Sequence, residues 1–255
     1  MVASISVRPH PIPALVLAAA ASSVALAACS GSTSSAHDQR AFIFSGTRLV
    51  IDDTSSDLQL VPGNGPGIEV QRWLSGTAAK PGHSSWTLHG GTLQLGIDCS
   101  GLVFSCGSRF QVAVPPGIAV TVNSGPNTDN VTGLSARVTV NGNQGGVNIS
   151  GVSGPLQVST GSGSVTATAI RSSAVQVMTN QGSADISLAA APRSVTVRCS
   201  TGNATVRVPA AGHQYHVLVS SGSGSASSKV PDDPKAGSVV RVSSGNHDAT
   251  VLPAS

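Results

Sequence analysis

Apolar and polar residues alternate in short runs that recur along the chain from Val120 onward. In seven of these runs an anchor valine follows another apolar residue by two positions. Alternation with a period of two is typical of strands that bury one face. The spacings between successive anchors are 18, 18, 19, 20, 22 and 23 residues. The anchors are Val122, Val140, Val158, Val177, Val197, Val219 and Val242.

Each anchor strand leads into a polar turn that contains glycine, and a second short strand follows the turn. Thr160-Gly-Ser-Gly163, for example, separates the strand of Val158 from the strand that begins at Val165. We expect glycine at these turns because it adopts positive φ without a steric penalty. One such unit has too little apolar surface to fold alone, so the units are expected to stack and share a continuous core.

This pattern predicts an all-β fold, with a parallel β-helix-like solenoid over residues 117–255. A β-sandwich of hairpins would also place a strand about every 8 to 12 residues and is the alternative. Recurrence of the same local sequence at each anchor favours the solenoid. Residues 41–116 are less regular, although Leu49 to Leu60 resembles a first coil, and they hold most of the aromatic residues. They are expected to form a cap that closes the amino end of the core.

The first 40 residues have the pattern of a bacterial lipoprotein. Arg8 precedes an apolar run from Ala14 to Ala28, as in a signal peptide. Leu26-Ala-Ala-Cys29 resembles the lipobox, in which the cysteine thiol receives a diacylglyceryl lipid. We expect a signal peptide over residues 1–28 and a palmitate-type lipid anchor on Cys29. A flexible tether over residues 29–40 would then hold the protein at the extracytoplasmic face of the cell membrane.

The other three cysteines fall into two groups. Cys99 and Cys106 are separated by six residues that include a glycine, so a local disulfide is expected outside the cytoplasm, with two free thiols as the alternative. Cys199 is in phase with Val195 and Val197 and is expected to be a buried small apolar residue.

Charge and composition point away from several function classes. Without Arg8 the chain keeps 13 basic residues (14 minus 1) against 11 acidic ones, which gives no basic footprint for nucleic acid. The sequence contains no recognisable set of nucleophile, general base and acid that would indicate catalysis. No cofactor or metal is expected. Asp52, Asp53 and Asp57 could gather around a cation, but a solvated turn is the preferred interpretation. His213 and His216 would point to opposite faces of one strand.

The repeat region resembles a bacterial family of β-strand-repeat domains called putative adhesins. The resemblance is carried by the turns and strands of Val158-Ser-Thr-Gly-Ser-Gly-Ser-Val165 and Val197 to Val206. Many actinobacterial lipoproteins of unknown function are members. The resemblance covers about Leu49 to Val251 and implies a right-handed parallel solenoid without catalytic residues. The irregular stretch from Ile68 to Cys106 departs from the family pattern.

Three functions are compatible with these features. The leading hypothesis is a non-enzymatic envelope scaffold or adhesion module, whose outward Ser, Thr and Asn side chains bind an envelope protein or glycan. A polysaccharide-active β-helix enzyme is the second, although charges in the repeats are sparse. The third is a regulatory module in envelope stress sensing.

Replacing Cys29 with Ser tests the predicted anchor. Serine has no thiol to receive the lipid, so the variant is expected to leave the membrane fraction or to remain there only as an uncleaved precursor. Fractionation combined with mass spectrometry of the amino terminus distinguishes these forms. A mature variant that stays in the membrane at the wild-type level would contradict the prediction.

Overall fold

The computed structural model describes residues 34–100 and 105–254, and nearly all regular structure in these ranges is β-strand. The strands form two sheets. The eleven-stranded sheet, called sheet A, has the order β1 (Ser35–Phe42), β4 (Ile68–Gly76), β7 (Cys106–Val114), β3 (Asp57–Pro62), β9 (Asp129–Thr132), β11 (Val147–Ser150), β13 (Val165–Ile170), β15 (Ala184–Leu188), β17 (Ala204–Val208), β21 (Ala249–Pro253) and β19 (Ala226–Ser228).

The second sheet has ten strands and is called sheet B. Its order is β18 (His216–Ser221), β20 (Val239–Ser244), β16 (Ser194–Cys199), β14 (Ala174–Thr179), β12 (Leu156–Thr160), β10 (Val138–Gly142), β8 (Ala119–Ser124), β2 (Arg48–Asp53), β6 (Thr92–Ile97) and β5 (Ser84–His89). A single turn of 3₁₀ helix at Thr77–Ala79 interrupts the cap.

From β6 onward, and also at β2 and β3, successive strands alternate between the sheets, so that one strand of sheet B and the next strand of sheet A make one coil. Neighbouring coils pair in parallel, from β6 and β7 at one end to β18 and β19 at the other. All seven anchor valines lie in one register across sheet B. The predicted solenoid is confirmed. Hairpins of a sandwich would instead have produced antiparallel neighbours.

The core is a narrow interior between the two sheets, filled mainly by valine, leucine, isoleucine and alanine. Val195, Val197 and Cys199 point inward together, as their alternation predicts, and Cys199 is only 3% exposed. Burial raises the pKa of the Cys199 thiol above its usual value, which keeps the thiol protonated and unreactive near neutral pH.

The role predicted for the turn glycines is confirmed only in part. Of the turn glycines between the two strands of a repeat, Gly202 has positive φ, but Gly163 and Gly182 do not. A Cβ on Gly163 would collide with the carbonyl oxygen of Gly145 in the preceding coil, and one on Gly182 would collide with that of Gly163. These turns therefore need glycine because consecutive coils approach too closely for a side chain.

The coils at both ends are stacked in an order that differs from the sequence. β20 pairs with both β16 and β18, so the last coil of the chain lies inside the stack and the preceding coil is outermost. At the other end, β2 lies between β6 and β8. The coil predicted to be first is therefore second, and both chain ends of the solenoid are held between two neighbours.

The amino-terminal cap is built from β1, β4 and β5, which pair antiparallel. In β4, Ile68, Val70 and Leu74 are buried, and Arg72 in the same phase is partly buried. Arg72 donates to the carboxylate of Asp38 at 2.9 Å, and its guanidinium carbon lies 4.2 Å from the centroid of the Trp86 ring. Arg40 donates to the backbone oxygen of Trp86 at 3.3 Å. Trp86 packs against the apolar core, and Arg72 lies over its ring.

Two predictions about the amino-terminal half have different outcomes. Cys99 and Cys106 form a disulfide with their Cα atoms 6.0 Å apart. Residues 35–40, however, were predicted to lie in the flexible tether, and they form most of β1 instead. That part of the prediction was wrong because β1 is an edge strand whose side chains before Phe42 are mostly exposed, so no apolar alternation marks it as a strand.

The inserted position of the last coil predicts unequal effects of two equivalent substitutions. Val242 is fully buried between two coils, whereas Val219 in the outermost coil is only partly buried. Val242→Ala should lower the free energy of unfolding by about 2 kcal/mol, from lost burial plus a cavity. Val219→Ala should cost less than half as much. Urea denaturation measures both, and equal losses would contradict the coil order.

Candidate functional site

The outer face of sheet A carries one uninterrupted row of hydrogen-bonding side chains. Because the strands pair in register, equivalent positions of successive coils lie side by side, about 4.8 Å apart. We call the following eleven residues the polar row. In spatial order they are Gln39, Gln71, Gln111, Gln59, Asn130, Asn148, Thr166, Asp185, Thr205, Thr250 and Ser227.

Contacts between neighbouring coils order part of the polar row. The Asn148 amide donates to the Asn130 amide oxygen at 3.2 Å. Two residues along the same strands, the Ser150 hydroxyl donates to the Thr132 hydroxyl at 3.3 Å. A ladder in which each amide bonds to the next still leaves further donors and acceptors directed at solvent. The surface is therefore both polar and partly preorganised.

Charge on this face is low in the repeat region. Asp185 is the one acidic member of the polar row, and it pairs with Arg207 on the adjacent strand. Exposed pairs of this kind contribute little to stability, but they neutralise the local field. The face is thus suited to an uncharged partner that offers many hydroxyl or amide groups.

An aromatic cluster lies beside the polar row at the cap. The rings of His37 and Trp73 are stacked with centroids 4.8 Å apart, and Arg109 lies 4.6 Å from the Trp73 centroid. His37 and Arg109 belong to the two strands that flank Trp73. Because these neighbours cover the indole, Trp73 is a structural component of the cap surface and does not offer a free stacking platform.

Sheet B carries a shorter polar ladder. Asn123 donates to Asp52 at 2.8 Å, and Asn141 donates to Asn123 at 2.9 Å. Farther along this sheet the equivalent positions include Met178 and Arg198. The uncharged polar rows on the outer face of sheet B, which include Thr121, Thr139, Gln157, Gln176 and Thr196, are therefore shorter than the polar row.

The three aspartates considered for a cation turn do not converge. Asp52 points outward to Asn123, and the exposed Asp57 accepts from the Thr128 backbone at 3.3 Å. Asp53 is only 3% exposed and accepts from the backbone of Ser56 at 3.1 Å. The preferred interpretation of a solvated turn is therefore wrong for Asp53, which continues the inward phase of Leu49 and Ile51.

Asp129 is a second buried acid at the same corner of the solenoid. It is 1% exposed and aligns with the core residues Leu58 and Val147 on the neighbouring strands. Ser124 donates to one carboxylate oxygen, while the other has no hydrogen-bond partner. Burial raises the pKa of Asp129 to about 6, and the charge of nearby Asp53 adds to the increase. The sequence did not reveal this role, because an aspartate after a polar turn resembles a surface residue.

The remaining candidate residues lie apart from the polar row. His216 Nδ1 is 3.0 Å from the Asp232 carboxylate, whereas His213 lies against Tyr215 with ring centroids 6.4 Å apart. Across residues 34–100 and 105–254, no group of three or more His, Cys, Asp or Glu side chains is placed to hold a metal. Cys29 lies outside these residues. In the same ranges, no helix has the length and apolar character needed to cross a bilayer.

The buried acid predicts a pH dependence of stability. The folded protein raises the pKa of Asp129 from 3.8 to about 6, so folding favours the protonated form. The resulting stabilisation is complete below the unfolded pKa and is lost as the pH rises through about 6. Asparagine has no carboxylate to ionise, so Asp129→Asn does not suffer this loss. Its free energy of unfolding relative to wild type should rise by up to about 3 kcal/mol between pH 4 and pH 7.5.

Thermal or urea unfolding of wild type, Asp129→Asn and the exposed control Asp185→Asn across this pH range measures the effect. The control should follow the wild type closely. A stability difference between wild type and Asp129→Asn that does not change with pH would contradict the assignment.

Comparison with known proteins gives a family and two similar structures. No curated protein matched the chain. A putative cell adhesion protein from Clostridium sporogenes ATCC 15579 is 13% identical, with a TM-score of 0.37, over 86% of this chain and 99% of that chain. A putative adhesin from Bacteroides fragilis NCTC 9343 is 15% identical, with a TM-score of 0.38, over 86% and 97%. The Toastrack family profile, DUF4097, matches residues 115–251, and the chain therefore belongs to the Toastrack family.

Proposed function

We propose that this protein is a non-enzymatic binding module of the cell envelope, anchored to the membrane by a lipid on Cys29, and that the polar row binds an uncharged envelope glycan. The observation that carries this proposal is the continuity of the row across all eleven strands of sheet A.

The chemistry of the row supports a glycan. A polysaccharide presents hydroxyl groups at regular intervals, and side-chain amides and hydroxyls can both donate to and accept from them. Asn130 and Asn148 are already held by a hydrogen bond between neighbouring coils, so less side-chain entropy is lost on binding. Because the row extends over many coils, several weak contacts would add along one polymer.

The same chemistry favours binding over catalysis. The polar row holds a single carboxylate, Asp185, whereas hydrolysis of a glycosidic bond by the common route needs two carboxyl groups flanking the bond. Asp53 and Asp129 are close to each other but closed inside the corner of the solenoid. Asp185, the acid on the row, is held by Arg207.

The proposed anchor would hold the cap close to the bilayer. β1 begins at Ser35, six residues after Cys29. Six extended residues span at most about 20 Å, so the cap would be held near the membrane and the coils would extend away from it. This geometry leaves the polar row free to contact glycan outside the membrane.

A matched pair of substitutions tests the binding surface. Thr166 is exposed on the polar row, and Gln176 is exposed on sheet B in the next coil. Thr166→Lys introduces a long charged side chain into the middle of the row and should weaken binding to isolated cell-wall polysaccharide at least about tenfold, equivalent to about 1.4 kcal/mol. Gln176→Lys should leave the binding unchanged.

Surface plasmon resonance with the immobilised polysaccharide provides the measurement. Binding by wild type should depend only weakly on salt, since the row is nearly uncharged. The proposal fails if wild type does not bind, or if the two lysine variants lose affinity equally.

A further inference from the structure

The loop after β1 exposes an apolar side chain at the capped end of the solenoid. Ile43 is fully exposed, and no other large apolar side chain within residues 34–100 and 105–254 is comparably exposed. A single exposed isoleucine would need no explanation. Here, however, it stands between Phe42 and Phe44, and grooves lie on both sides of the loop.

One groove is apolar and the other is basic. The first has a volume of about 310 Å³ and is walled by Phe42, Phe44 and Pro66, with Glu69 at its margin. The second, of about 790 Å³, is lined by Arg40 and Arg48 and by no acidic residue. Apolar side chains next to arginines are the combination found where proteins rest on anionic lipid surfaces.

The arginines are available to an anionic partner. Arg48 is exposed and has no ion pair among the described residues. Arg40 lies 4.7 Å from the Phe42 ring centroid and donates to a backbone oxygen, but likewise has no carboxylate partner. Guanidinium groups bind phosphate well because several donors lie in one plane.

The position of the loop relates it to the proposed anchor. β1 is the outermost strand of sheet A, so the cap is the end of the solenoid nearest Cys29 in the chain. A strand of eight residues spans about 27 Å, and Ile43 follows directly after it. If β1 lies along the bilayer surface, the lipid and Ile43 would contact the membrane at two separate points.

We propose that Ile43 inserts into the membrane surface while Arg40 and Arg48 bind anionic lipid headgroups, which fixes the orientation of the solenoid on the bilayer. This inference rests on the proposed lipid anchor. Two separated contacts prevent the rotation that a single flexible attachment would allow. The sheets would then hold one orientation relative to the membrane, and the polar row would face a defined direction.

A fluorescent probe beside Ile43 tests the contact in the full lipidated protein. Ser45→Cys places an environment-sensitive dye on this loop, and Ser227→Cys places the same dye on the opposite end coil. Both positions are exposed. The native cysteines do not compete for the dye, because Cys99 and Cys106 are bonded, Cys199 is buried and the proposed lipid occupies the Cys29 thiol. The samples are nanodiscs of phosphatidylglycerol and phosphatidylcholine that carry at most one protein each.

The proposal predicts a blue shift and a several-fold rise in emission at position 45 on nanodiscs, and no change at position 227. Ile43→Ser should abolish the shift at position 45. Arg48→Gln should reduce it on anionic discs, whereas the distant control Arg193→Gln should not. Pure phosphatidylcholine discs should give a smaller shift than anionic ones.

Other results overturn the proposal in distinguishable ways. Protein that stays on the discs without a shift at position 45 would disprove the membrane contact and leave the anchor intact. Protein that does not stay on the discs would disprove the anchor and this inference together. A shift that appears only when each disc carries several copies would identify a second copy as the partner and would likewise overturn it.

Discussion

Pairing of the strand edges is the constraint on which the rest of this structure depends. Every buried strand must satisfy its backbone N–H and C=O groups on both sides, and a solenoid always has two ends where this pairing stops. At the amino end, β5 and the β1–β4 pair add antiparallel strands, and Arg72 and Trp86 cover the core. At the carboxyl end, the last coil is inserted between two others. β21 therefore lies inside sheet A, and the edge strands of that sheet are β1 and β19.

Close stacking of the coils has consequences inside and outside. Inside, the corner between the sheets is lined by hydroxyls that bond to turn carbonyls, as Thr160 does to Gly163 at 2.7 Å and Ser244 to Gly202 at 2.9 Å. Such bonds satisfy turn groups that would otherwise be buried without partners. Outside, the same register aligns equivalent side chains into the polar row. One stacking geometry thus produces both the core and the proposed binding surface.

Much of the repeat region was predictable because its physics is local. The anchor valines and the inward position of Cys199 follow from alternation. In the amino-terminal region, the bonded pair of Cys99 and Cys106 follows from its spacing. The predictions failed where contacts between residues far apart in the sequence determine the structure, as they do for the order of the coils. The anchors of Val219 and Val242 have the same local pattern, so nothing in it shows which coil is outermost.

Polar residues where the repeats have apolar ones explain the other failures. In β1, Asp38 and Arg40 are exposed and bond to Arg72 and to the Trp86 backbone, so the strand lacks the apolar alternation of the repeats. Asp129 occupies a position filled by Leu58 and Val147 on adjacent strands, but a pattern of apolar residues cannot identify a buried carboxylate. Residues that break the apolar alternation of a strand often mark sites of function or strain. The buried corner that holds Asp129 is therefore a distinctive part of the fold.

Hydrogen exchange of the native protein tests the coil order most directly. Amides in Val239–Ser244 lie between two coils and should exchange as slowly as those of Ser194–Cys199, although they are close to the end of the chain. Amides in Ala226–Ser228, on the outermost strand of sheet A, should exchange much faster. Rapid exchange across Val239–Ser244, together with strong protection of His216–Ser221 and Ala226–Ser228, would contradict the account.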